Sequence, residues 1–228
     1  MKATTDEELA LYYACVDNKY QHLHRWKGSI IGYYYFFNYI PKSASEEVSP
    51  SYELVRKLVW KFKDGVYQND YVENIVIKKL KSVFSFMPEM FTFVCIPAST
   101  EEKTSNRYMY FSRQVCKETK MANGYDYVRI TKEGPAKHIE GEGGCEYDCD
   151  GEFFKDRNVI VFDDVLTRGH SLEKMVEKLE KVGARVYAAF FLGRTTINSL
   201  NHPWIIDEDN SNREIDQDYL DNLDKKDK

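Results

Sequence analysis

An α/β fold built on a doubly wound parallel sheet is what this sequence predicts, and three observations carry it. Short, predominantly apolar runs at 91–96 (FTFVCI), 159–162 (VIVF) and 185–192 (RVYAAFFL) have the length and composition of strands covered on both faces. Segments with apolar residues at helical spacing alternate with these runs after residue 90. The chain of 228 residues, 43% hydrophobic and 30% charged, is long enough for one domain with a sizeable core.

The elements follow in chain order. Residues 6–26 place Leu9, Tyr12, Tyr13, Val16, Tyr20 and Leu23 at helical spacing behind Asp6, Glu7 and Glu8, so an amphipathic helix is expected there. Residues 28–40 (GSIIGYYYFFNYI) are β-branched and aromatic and read as one or two strands. Helices are expected over 52–62, ended by Lys63-Asp64-Gly65, and over about 69–84. The first core strand, 91–96, runs into Pro97-Ala98-Ser99-Thr100, and a helix is expected over 103–121. Asn123-Gly124 makes a turn, 125–130 reads as a strand, and 131–156 shows no period and reads as an irregular loop. Helix 172–181 and strand 185–192 complete the core. The expected organisation is a helical and aromatic N-terminal subdomain over 1–90, the α/β core over 91–206, and a disordered acidic tail over 207–228.

Residues 158–172 (NVIVFDDVLTRGHSL) carry the chemistry. Four apolar residues lead to two carboxylates, Asp163 and Asp164, at the expected C-terminal end of a buried strand. The small-residue loop Thr167-Arg168-Gly169-His170-Ser171 then opens a helix. A loop entering a helix offers free N–H groups and the positive end of the dipole to a phosphate. Carboxylates accept hydrogen bonds from vicinal hydroxyls. A ribose carrying a 5-phosphate satisfies both halves.

This stretch resembles the 13-residue signature by which type I phosphoribosyltransferases bind phosphoribosyl pyrophosphate (PRPP): four apolar residues, two acidic, two apolar, then the small-residue loop. Arg168 stands where Thr or Ser is commoner. The resemblance implies that Asp163 and Asp164 hold the ribose hydroxyls in the catalytic centre, and that Thr167, Arg168, Gly169, His170 and Ser171 wrap the 5-phosphate. It implies that Ala98, Ser99 and Thr100, with Arg107, contact the pyrophosphate. It implies a loop over 131–156 closing on the site, with His138 as a catalytic group. Mg²⁺ is the implied cofactor, carried by the substrate's own oxygens, with Asp163 and Asp164 as the protein groups nearest to direct ligands. LVWKFKDG, Arg107 and LGRT (192–195) further resemble the ComF-like branch, here without that branch's zinc module. The fold expected on this resemblance is the type I phosphoribosyltransferase kind, and the reaction is transfer of ribose 5-phosphate to a nitrogenous base or amine acceptor. The alternatives are a non-catalytic PRPP- or nucleotide-binding regulatory module and a ComF-like DNA-associated protein.

Bulk properties weigh on these alternatives. The formal net charge is −5, and the tail over 207–228, with nine acidic and four basic residues, accounts for all of it. The remaining body is neutral, which argues against a broad nucleic-acid-binding face. No apolar run is long enough to span a bilayer. The five cysteines form no C-x-x-C pair, so reduced thiols and a cytoplasmic location are the expectation. A homodimer is the prior for such a chain.

Overall fold

The computed structural model describes residues 21–26, 29–43, 48, 50–65, 71–85, 87–134 and 144–195. A six-stranded sheet in the order β1-β2-β8-β7-β3-β4 organises them. Its strands are β1 (Gln21–Trp26), β2 (Ser29–Tyr39), β3 (Phe91–Cys95), β4 (Ala122–Asn123), β7 (Asn158–Leu166) and β8 (Arg185–Thr195). β2, β8, β7, β3 and β4 run parallel, and β1 pairs antiparallel with β2 at the edge. The predicted doubly wound α/β class is what the chain adopts.

Helices cover both faces. On one lie α1 (Pro50–Lys63), α2 (Tyr71–Val83) and α4 (Tyr110–Thr119), packed on Phe37, Phe93, Phe162 and Phe190. α1 buries Val55, Leu58, Val59 and Phe62, spaced three and four apart, which contributes about 1.5–3 kcal/mol for each fully buried side chain. On the other face α6 (His170–Lys181) buries Leu172, Met175, Val176 and Leu179 against Val159, Val161 and Phe191. A hairpin of β5 (Val128–Lys132) and β6 (Glu146–Cys149) lies on this side, where Tyr147 packs into the same cluster.

The strand order fixes where a ligand has room. The connection from β3 through α4 leads outward to β4, whereas that from β7 through α6 leads the opposite way to β8. The two helices lie on opposite faces, so a crevice opens beyond the carboxyl ends of β3 and β7, the position at which doubly wound sheets bind ligands.

Three expectations are corrected. Gln21–Trp26 is a strand and not the end of a helix; residues 6–20 lie outside the described residues. Its apolar spacing fits a helix, but six consecutive pairings, from Gln21↔Tyr34 to Trp26↔Ser29, satisfy the otherwise open edge of β2. Residues 125–130 do not form a core strand. The amide of Tyr125 donates to Asn123 Oδ1 at 2.9 Å, which turns the chain out of the main sheet after the two residues of β4. A 3-10 turn (Tyr125–Tyr127) follows, and β5 then belongs to the separate hairpin. Finally, 131–156 is not an irregular loop throughout. It contains the end of β5, all of β6, and the short helix α5 (Gly151–Phe154), whose first amides donate to Asp150 Oδ1. The alternation of exposed Glu146, buried Tyr147 and exposed Asp148 is a strand signal too short to stand out.

The tyrosine-rich run 33–35 is interior. Tyr33 and Tyr35 face the α6 side and Tyr34 the opposite one, all at 9% exposure or less, so β2 is a buried strand rather than a base-stacking surface. No helix among the described residues is long and apolar enough to cross a membrane. The described cysteines, Cys95, Cys116, Cys145 and Cys149, form no disulfide, and burial pushes the Cys116 and Cys149 thiols up to about 12.

Candidate functional site

Asp163 and Asp164 lie within β7 near its carboxyl end, both under 10% exposed. Their depth follows from an aromatic cluster immediately beneath them. Phe162 packs at 4.8 Å from Phe111 and 5.9 Å from both Phe62 and Phe93, ring centre to ring centre. Two carboxylates cannot sit at such a boundary unpaired, and the chain supplies their partners from two other elements.

The first is the helical run after β3. α3 (Glu101–Thr104) passes through a π turn (Ser105–Met109) into α4. One residue is thereby added to the turn, a feature concentrated at functional sites. Two consecutive residues of this turn reach the two consecutive acids. The Tyr108 hydroxyl donates to Asp163 Oδ1 at 2.9 Å, and the Arg107 guanidinium donates to Asp164 Oδ2. The Asp164 amide also donates to Asp163 Oδ1 at 2.9 Å. Burial, then the charges of Asp163 and Asp164, push the Tyr108 phenol well above its ordinary value, so it is a neutral donor at any physiological pH. Burial alone would pull Arg107 down; Tyr108 and both acids outweigh it, and its pKa rises, so the guanidinium is permanently charged.

The second element is the end of α1. The Lys63 ammonium lies 3.6 Å from Asp164 Oδ1, and the Lys63 carbonyl accepts from Arg107 Nε at 3.1 Å. Gly65, at φ +73°, allows this approach. A Cβ there would lie 2.6 Å from the carbonyl oxygen of Asn106, on the backbone of the π turn. Gly65→Ala is therefore expected to push α1 off the π turn and to cost about 1–3 kcal/mol; a urea unfolding midpoint unchanged from native would refute this account of the contact.

Beside the acidic pair, Thr167 and Arg168 are exposed, Gly169 is buried at φ +86°, and His170 begins α6. The left-handed Gly169 turns the chain directly into the helix, so the amide end of α6 opens next to the carboxylates. Ser171 is half-buried in the first turn. Across the crevice, at the end of β3, Ala98, Ser99 and Thr100 are each half-buried. Thr100 caps α3 by accepting from the Lys103 amide at 3.2 Å, the Ala98 amide donates to Thr104 Oγ1 at 2.9 Å, and the Ser99 carbonyl accepts from Gly134 at 3.0 Å.

The structure thus brings Asp163, Asp164 and Arg107 into one network and sets the 167–171 and 98–100 loops on adjacent strand ends. It places Arg107 on the acidic pair. His138 lies outside the described residues, as do the tail and Cys15. Sequence reading missed Tyr108 as a site residue and weighed Lys63 as a functional base only to set it aside. Lys63 had the look of a solvated helix-end lysine, and only the π turn gives Tyr108 and Arg107 adjacent targets.

A magnesium ion bound directly by the acidic pair does not fit this donor set. Both Asp164 oxygens face cations, and Asp163 Oδ1 already accepts two hydrogen bonds. A divalent ion a few ångströms from an ammonium and a guanidinium meets repulsion on the order of several kcal/mol from each. Among the described residues no cluster of three His, Cys, Asp or Glu side chains has the arrangement of a metal site.

No protein-family model matches the chain, and no curated protein matches it. Solved structures do. A purine phosphoribosyltransferase from Pyrococcus horikoshii Ot3 is 15% identical over 55% of this chain and 82% of its own, with a TM-score of 0.37. An orotate phosphoribosyltransferase from Aeropyrum pernix is 20% identical over 55% of this chain and 61% of its own, with a TM-score of 0.34. An adenine phosphoribosyltransferase from Rhodothermus marinus is 16% identical over 53% of this chain and 66% of its own, with a TM-score of 0.37. All three are phosphoribosyltransferases.

Proposed function

We propose that this chain binds PRPP in the crevice beyond β3 and β7 and transfers its ribose 5-phosphate to a nitrogen acceptor. One observation carries this reading: a buried acidic pair, braced from two elements, stands at the switch point of a doubly wound sheet beside the Gly169-led amide end of α6. A ribose whose hydroxyls meet the acids directs its 5-phosphate towards that helix end. Its pyrophosphate, on C1, is then directed towards the 98–100 loop.

In this reading Asp163 and Asp164 accept the ribose hydroxyls, which their remaining lone pairs permit, since a carboxylate offers about four acceptor positions. Residues 167–171 hold the 5-phosphate, with Ser99 and Thr100 on the pyrophosphate. The acceptor nitrogen forms a bond to C1 as the C1–oxygen bond breaks. The bonding pair leaves on pyrophosphate, and the acceptor gives up its proton. The protein contributes positioning and fixed charge. Mg²⁺, where it takes part, is carried by the oxygens of PRPP itself, consistent with its reluctance to shed water for protein cages.

The test is calorimetric titration of PRPP into the native chain and into the Asp163→Asn/Asp164→Asn variant. Amides cannot reproduce charge-assisted hydrogen bonds to a diol, so binding is expected to weaken by roughly tenfold or more. Equal affinity in both proteins removes the acidic pair from the ligand site.

A second reading, a PRPP- or nucleotide-binding module without turnover, is favoured by the cations on Asp164, which reduce the free charge offered to a substrate diol. Pyrophosphate release from PRPP across a panel of purine and pyrimidine bases separates the two. Release with any base establishes the transferase, whereas PRPP binding with no release for the whole panel establishes the module.

A further inference from the structure

The four charged groups at the acidic pair are balanced: Asp163 and Asp164 against Arg107 and Lys63, with Tyr108 neutral between them. In a site meant to admit a polyanion, two unpaired carboxylates would repel it, and a metal ion is the usual remedy. Here the chain's own cationic side chains supply the counter-charge. The guanidinium is anchored twice, by Asp164 and by the Lys63 carbonyl, and it is mostly buried, so it does not leave when solvent changes. The Lys63 ammonium is the more exposed partner, about one-third exposed at the mouth of the same network.

We infer that Lys63 and Arg107 act as the built-in counter-charge of the acidic pair, so that this chain binds PRPP without a divalent metal ion. The inference rests on the ribose-phosphate reading above. It adds Lys63, on the end of α1, as a binding residue, and it makes any Mg²⁺ carried by the pyrophosphate dispensable for binding. Two features support it. Each cation occupies the flank of Asp164 that a metal would have to approach. The approach of α1 to the π turn depends on Gly65, so the cation pair is set by the backbone and not by a chance surface contact.

The experiment is calorimetric titration of PRPP into the native chain in excess EDTA and, separately, in excess Mg²⁺, repeated with Lys63→Met. The native affinity in EDTA is expected to lie within about threefold of that in Mg²⁺. Lys63→Met is expected to weaken binding in EDTA by roughly tenfold and to recover part of the loss in Mg²⁺, since a metal can then approach the vacated side. A native chain that binds PRPP only with Mg²⁺ overturns the inference and leaves the ribose-phosphate reading standing. An unchanged affinity of Lys63→Met in EDTA also overturns it, provided thermal unfolding shows the variant folded. No PRPP binding by the native chain under either condition overturns the ribose-phosphate reading and this inference together.

Discussion

Replacing Arg107 with methionine is expected to cost about 3–5 kcal/mol of folding stability, the range seen when one partner of a buried ion pair is removed. The guanidinium has two jobs at once. It meets the Asp164 carboxylate, which is under 10% exposed, and it donates to the Lys63 carbonyl at 3.1 Å. Methionine fills the space but donates nothing. Among the described residues it leaves a buried carboxylate facing Lys63 at 3.6 Å, and it leaves the end of α1 without its tie to the π turn. Urea unfolding should show a lower midpoint with an unchanged slope. A midpoint equal to native would mean that the pair adds nothing net to stability.

Phe162→Ala is expected to cost a similar amount, about 3–5 kcal/mol, through cavity formation. Phe162 is fully buried at the centre of a cluster with Phe62, Phe93, Tyr108 and Phe111. These rings come from α1, β3, the π turn and α4, the elements that frame the acidic pair. The substitution is therefore expected to weaken PRPP binding as well, although residue 162 touches no ligand in the proposed pose. Loss of stability with unaltered PRPP affinity would show that the acids are held by their own hydrogen bonds alone.

Much of the framework could be read from residues in order. β3, β7 and β8 declare themselves as apolar runs, and α1, α2 and α6 as stripes of Val, Leu, Ile and Met three and four apart. These patterns are local, and burial on one or both faces is what writes them. The acidic pair and the turn at Gly169 were legible for the same reason, being contiguous. What surrounds the pair was not. Lys63, Arg107 and Tyr108 reach it across 101, 57 and 55 positions of chain, and nothing in their own neighbourhoods marks them as partners of carboxylates. The π turn adds a residue without breaking the helical spacing of Phe111 and Val115, so the run reads as one plain helix. The strand at 21–26 was hidden differently: an edge strand gains its hydrogen bonds from a neighbour, and Leu23 and Trp26, each three places from the apolar residue before it, continue a helical spacing. The β5–β6 hairpin was hidden by its four-residue second strand and by glycines on either side.

The hairpin has a mechanical meaning. On its β5 side the Gly134 amide donates to the Ser99 carbonyl, and on its β6 side Lys174 and Lys178 of α6 reach the Cys145 carbonyl, Glu146 and Asp148. It therefore spans the distance between the loop after β3 and the helix after β7 as a strut lying alongside the sheet.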